Sequence, residues 1–174
     1  MALTDLRLTR AFKLGLLAAG ALALSACAST QTGDTSTGAG TGTSTAGAPA
    51  QGSVEEFTAS VGDRVFFGFD RYDLDSQATE TLSRQAAWMK LYPSYTVTIE
   101  GHADERGTRE YNFALAARRA NAVRDYLVGL GVDSARLKTI SYGKERPTCS
   151  ASTESCWAQN RRGVSVLAGG APGV

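Results

Sequence analysis

The sequence predicts an α/β (α+β) two-layer sandwich over residues 54–168, with a mixed sheet of about four strands packed on two main helices. Two observations lead there: β-branched or aromatic runs alternate with helix-periodic stretches, and both helical stretches carry start and stop signals. Residues 61–69 (VGDRVFFGF) form a short apolar, aromatic run and read as a strand. Asp75 offers an N-cap for a helix over 76–91, which ends before Pro93 and places Leu82, Ala86 and Met89 at helical spacing. Residues 95–100 (YTVTIE) alternate with period two, the pattern of a half-buried strand. Thr108 caps a long helix to about Leu130, closed by Gly131. Residues 138–142 and 164–167 supply the remaining short strands.

The loop 101–107 (GHADERG) follows a strand and precedes a helix, a position that ligands favour in α/β folds. Gly101 and Gly107 give it backbone conformations barred to other residues. Plotted at about 100° per residue, the long helix gathers Phe113, Ala116, Ala117, Ala120, Val123, Leu127 and Leu130 on one apolar face. Arg118 points away from that face, and Arg119 lies at its edge beside the sheet. Asn112 lies on the same line, about 10 Å nearer the helix N-terminus. A pocket with Asp104, Asn112 and Arg119 on its wall follows. Arg119 can grip a carboxylate bidentately and Asp104 can accept from an ammonium, so a zwitterionic ligand satisfies both. The alternative is a purely structural Asp104–Arg119 salt bridge, and the helix geometry leaves both open.

The 174 residues carry a formal net charge of +1, which gives no electrostatic case for nucleic-acid binding. The N-terminus reads as a secretory signal over residues 1–26. Arg7, Arg10 and Lys13 form its basic region, and residues 14–23 (LGLLAAGALA) its apolar region, too short for a spanning helix of about 20 residues. The order Leu24-Ser25-Ala26-Cys27 resembles the bacterial lipoprotein box. That resemblance implies cleavage before Cys27, lipidation of its thiol and acylation of the new amine. Ala28 in place of Asp implies sorting to the outer membrane. Removing 1–26 takes away three basic residues and one acidic residue, so the charge passes from +1 to −1. Residues 28–53 contain no aromatic residue, Leu, Ile or Val and cannot bury enough surface to offset their ordering entropy. With Cys27 they read as a tether, 27–53, whose reach is at most about 85 Å and roughly 28 Å as a coil. Residues 169–174 read as a tail.

Residues 101–127 (GHADERGTREYNFALAARRANAVRDYL), 141–147 (SYGKERP) and 160–163 (NRRG), with GFDRYDLD at 68–75, closely resemble the OmpA-like peptidoglycan-binding domain family. Residues 114–117 (ALAA) depart from the family's usual Leu-Ser before the paired basic residues, but they stay small. The resemblance implies non-covalent binding of the diaminopimelate-containing stem peptide of peptidoglycan, with Asp104 and Arg119 holding the diaminopimelate. It also implies a pocket edge at Phe69 and Asp70, a neighbouring Asn112, and a contribution from Arg161. It implies no cofactor, an anchor in the outer-membrane bilayer through acylated Cys27, and a protein partner, TolB of the Tol system.

Cys149 and Cys156 lie seven apart in a polar loop, 148–157, and an oxidising periplasm favours a disulfide between them. Free thiols and metal ligation are the alternatives, although a metal site needs more nearby His or Cys than the sequence supplies. His102 is the sole histidine, and no G-x-S-x-G elbow accompanies it. A lone histidine at a strand end reads as a hydrogen-bonded structural residue rather than a catalytic base, so the sequence reads as a non-enzyme.

Overall fold

The computed structural model describes residues 48–170; the expected signal peptide, Cys27, most of the 27–53 tether and residues 171–174 lie outside the described residues. The last residues assigned to the tether belong to the folded body. The Ser53 hydroxyl accepts from Glu56 N at 3.1 Å and starts a one-turn helix, α1 (Val54–Glu56), and the Gly52 carbonyl accepts from the Tyr95 hydroxyl at 2.8 Å.

A π-helical turn, Phe57–Gly62, follows, where the sequence reading began a strand. Phe57 is buried against the Trp88 ring, centroids 5.0 Å apart, and Trp88 Nε1 donates to Glu56 Oε2 at 2.8 Å. These anchors draw the segment onto the helix layer and leave only Arg64–Phe66 for β1. Helix α2 (Ser76–Leu91) starts on Asp75, whose carboxylate accepts from Ala78 N at 2.8 Å. Strand β2 (Tyr95–His102) leads into α3 (Arg109–Gly129), where the Thr108 hydroxyl accepts from Tyr111 N. Gly131, at φ +88°, closes α3 in the left-handed region. A 3-10 turn (Ser134–Arg136) precedes β3 (Leu137–Gly143), and α4 (Glu154–Asn160) precedes β4 (Arg162–Gly169).

Helix α4 falls in the stretch read as a polar loop. It buries only Cys156 and Asn160, so it shows no apolar period. Side chains fasten it instead. Cys156 is bonded to Cys149, the two Cα atoms 5.0 Å apart, and the Asn160 side chain accepts from Thr148 N and donates to the Cys149 carbonyl.

Among the described residues four strands form one mixed sheet in the order β1-β4-β2-β3, as the fold class requires. β4 is antiparallel to both β1 and β2, while β2 and β3 are parallel. Tyr95, Val97 and Ile99 of β2 turn to the helices and meet Leu82 and Met89 of α2 and Val123 and Leu127 of α3 in one core. Phe113, expected on the apolar face of α3, is 57% exposed, and Asn112, Leu115 and Arg119 are buried instead. The buried stripe of α3 is rotated toward the loop after β2.

Gly101 sets that rotation by its lack of a side chain, not by an unusual φ. A Cβ at Gly101 would overlap the Ala116 carbonyl oxygen and crowd the Ala120 methyl, so backbone of α3 rests directly on β2. Gly101→Ala is therefore expected to lower the unfolding free energy by about 3 kcal/mol, read as a fall in the urea midpoint. Gly129→Ala, with nothing within 4 Å of its added methyl, is expected to raise stability by up to about 1 kcal/mol.

Candidate functional site

The loop after β1, the loop after β2 and the first half of α3 enclose a cavity of about 180 Å³. Phe69, Asp70, Asp104, Asn112 and Arg119 line it, together with Arg106, Tyr111 and Leu115, which the sequence reading did not select. Arg161 does not line it and stands behind Asp104.

Arg119 is 1% exposed and does not bond to Asp104. Its Nε donates to the Arg71 carbonyl and its Nη1 to the His102 carbonyl, both at 2.8 Å, and Nη2 donates to the Gly68 carbonyl at 3.2 Å. Burial lowers its pKa to about 10, against the opposing charges of Asp104 and Asp70, so it remains a cation at neutral pH. The direct Asp104–Arg119 salt bridge left open by the helix geometry is absent among the described residues.

Asp104, 5% exposed, is held by two other guanidiniums. Arg106 Nη2 donates to its Oδ2 at 2.6 Å and Arg106 Nε to its Oδ1 at 3.3 Å, while Arg161 Nη1 reaches Oδ2 at 3.3 Å. Burial pushes the Asp104 carboxyl up, but the bonds from Arg106 and Arg161 outweigh it and hold the group below its usual value. The loop carrying Asp104 is fixed from both sides. Asn112 Nδ2 donates to the Arg106 carbonyl at 2.7 Å, and Lys144 Nζ donates to the Glu105 and Gly107 carbonyls at 3.0 and 2.7 Å. Gly107, at φ +90°, makes the turn into α3.

Across the cavity, Asp70 adopts a left-handed conformation at φ 57°, and its carboxylate accepts from the Tyr111 hydroxyl. Phe69 lies against the Arg106 guanidinium, 4.1 Å from its ring centroid, and Trp157 of α4 covers the other side at the same distance. The sequence signal for Arg106 was its place two residues beyond Asp104, close enough to fold back on that carboxylate. Tyr111 and Leu115 lie one and three residues from Asn112, on the same side of α3. Trp157 had no such signal, because its helix was not legible.

His102 is buried at 2% exposure, and neither ring nitrogen has a hydrogen-bond partner, contrary to the hydrogen-bonded role expected for it. Its nearest carboxylate, Glu100 Oε2, is 3.6 Å from Nε2. What fixes the residue is its main-chain carbonyl, which Arg119 holds.

A strand-end cavity that keeps a carboxylate and a guanidinium apart, on a two-layer α/β sandwich, defines a small ligand-binding domain. Residues 66–161 match the OmpA family, and the chain belongs to that family. Its relatives there are peptidoglycan-associated lipoproteins. Over 123 residues it is 56% identical to that of Agrobacterium fabrum and 58% identical to that of Rhizobium meliloti, covering 71% of this chain and 70% of each relative. The crystal structure of the peptidoglycan-associated lipoprotein from Burkholderia pseudomallei aligns with a TM-score of 0.62 at 41% identity, covering 64% of this chain and 96% of that one.

Burial, followed by the charges of Arg162 and Arg146, pushes the His102 pKa down to about 4. The unfolded chain, near 6.5, therefore takes up this proton first as the pH falls. Stability drops between about pH 6.5 and about 4, and this group lowers it no further below that. As the chain has one histidine, a single imidazole resonance reports the group. Its NMR titration midpoint is expected near 4, and a midpoint near 6.5 would contradict the burial.

Proposed function

We propose that this protein is an outer-membrane lipoprotein that binds peptidoglycan non-covalently and takes the diaminopimelate-containing stem peptide into the Asp104–Arg119 cavity. The observation that carries this reading is the separation of charge across the cavity: Asp104 and Arg119 both reach it without pairing with each other. The free end of diaminopimelate carries one ammonium and one carboxylate, which suits that pair. The ammonium meets Asp104 and the carboxylate meets Arg119. Arg106, the partly exposed guanidinium on Asp104, shifts between the faces of Phe69 and Trp157 to make room.

Acylated Cys27 then anchors the chain in the outer-membrane bilayer. Each buried methylene contributes about 0.8 kcal/mol, so three acyl chains hold essentially permanently where one does not. The tether ahead of the folded body spans the gap, and the protein staples membrane to wall within the Tol–Pal system, with TolB as its partner, during constriction at division. The chemistry of the site favours binding over hydrolysis. The His102 nitrogens are sealed from the cavity, and the Asp104 carboxylate is covered by guanidinium groups, so neither is placed to activate water.

Full-length chain in detergent is expected to co-sediment with purified sacculi and to release no soluble muropeptides. Asp104→Asn and Arg119→Lys should each reduce retention by about tenfold or more, because a charged hydrogen bond contributes about 1.5–3 kcal/mol and lysine cannot reproduce the guanidinium fork. Undiminished retention by both variants would remove the site assignment. In cells, Cys27→Ser should leave the chain unlipidated and uncleaved; a processed, outer-membrane-bound Cys27→Ser protein would exclude the anchor.

A further inference from the structure

We propose that the Cys149–Cys156 disulfide is a positioning device for the binding cavity, acting through α4 to keep Asp104 apart from Arg119. The proposal rests on the stem-peptide reading above.

Asp104 and Arg119 line one cavity and carry opposite charges, so they attract one another. Direct pairing would fill the cavity and leave neither group for a ligand. What holds Asp104 is Arg106 and Arg161; Arg161 Nε also donates to the Phe67 carbonyl at 3.0 Å, and α4 contacts both guanidiniums. Glu154, the first residue of α4, accepts from Arg161 Nη2 at 2.7 Å, and its other oxygen lies 3.7 Å from Arg106 Nη1. Trp157, one turn later, stacks on the Arg106 guanidinium opposite Phe69 and donates from Nε1 to Glu105 Oε1 at 3.0 Å.

A seven-residue helix has little stability of its own and needs external fastening. Two fasteners join α4 to residues 148–149. One is the disulfide at Cys156, and the other is the Asn160 side chain on the Thr148 and Cys149 main chain. The disulfide sits between Glu154 and Trp157 in sequence, beside the two side chains that act on the site. Asn160 fastens only the far end of the helix. Loss of the disulfide therefore loosens the end that carries Glu154 and Trp157, while Asn160 keeps the segment attached. In these terms Cys149, Cys156, Glu154 and Trp157 are positioning residues, and they touch the ligand only through Arg106, Arg161 and Asp104.

The test is calorimetric titration of the full-length chain in detergent with a diaminopimelate-containing stem peptide, oxidised and after reduction. Dithiothreitol supplies two electrons and two protons, giving two cysteine thiols and its own cyclic disulfide. Reduced protein and Cys149→Ser are expected to bind about three- to tenfold more weakly. Trp157→Leu, with the disulfide intact, should fall in the same range, while Trp157→Phe, which restores a ring over Arg106, should stay within about twofold of the parent. The Arg106 Nε–Hε NMR resonance, set by the rings on either side, should move on reduction in the absence of ligand; a purely structural disulfide would leave it in place. Equal affinity of oxidised and reduced protein, with two free thiols titrated, overturns the proposal. If reduction unfolds the chain, parental affinity in Trp157→Leu overturns it instead. Failure of the oxidised parent to bind the peptide at all overturns the stem-peptide reading and this proposal with it.

Discussion

Burying a guanidinium costs several kcal/mol unless its N–H groups find acceptors, and Arg119 finds three in main-chain carbonyls from two segments distant in sequence. Gly68 and Arg71 belong to the loop after β1, and His102 ends β2. One side chain of α3 thus fixes the loop, the strand end and the helix relative to one another. The planar fork of arginine allows this, because its donors diverge at fixed angles. The same device recurs at the other end of the fold. There Arg136 donates to the Tyr95, Met89 and Tyr92 carbonyls at 2.8, 2.9 and 3.0 Å and ties the end of α2 to the start of β2. At that end the arginine joins main-chain segments. At the cavity end the charge also faces a space large enough for a ligand.

Arg119 reaches those carbonyls only because α3 lies close to the sheet. Gly101 on β2 and Ala116 and Ala120 on α3 set the distance, since any larger side chain at the first would push the helix away. A helix displaced by a methyl group would withdraw the guanidinium from the His102 and Gly68 carbonyls and leave buried acceptors without donors. The small residues and the buried arginine are therefore one constraint, and the wall of the cavity follows from it.

The sequence carried this much of the design plainly. Alternation in residues 95–100 and the caps at Asp75 and Thr108 gave the strand and helix starts, because local chemistry decides them. Helix geometry placed Arg119 beside the sheet and Asn112 above it. It could not show that Arg119 bonds to carbonyls instead of Asp104, because main-chain acceptors leave no trace in a side-chain pattern. The turn at 57–62 was hidden because its last residues, Val61 and Gly62, open the apolar, aromatic run that reads as strand, and nothing local announces that Trp88, some thirty residues later, is brought against Phe57. Helix α4 was hidden because covalent and polar fastening, not apolar periodicity, maintains it. Arg106 and Trp157 were invisible as a pair for the same reason: their stacking depends on a helix that the pattern does not announce.

The arrangement at Asp104 also bears on which ligands are admitted. The carboxylate accepts from Arg106 N, Nε and Nη2 and from Arg161 Nη1, about as many bonds as its lone pairs provide. An entering ammonium must therefore take over one of these positions, and Arg106, 30% exposed, can yield where the buried Arg161 cannot. Exchanging one cation for another gains little by itself. A ligand bearing only an ammonium also meets the charge of Arg119, and a ligand bearing only a carboxylate also meets that of Asp70, since both line the cavity. Only a group carrying both charges gains at one end without losing at the other. On the proposed reading, specificity in this site comes from the penalty on the wrong ligand as much as from attraction to the right one, and that penalty requires Asp104 and Arg119 to be held apart.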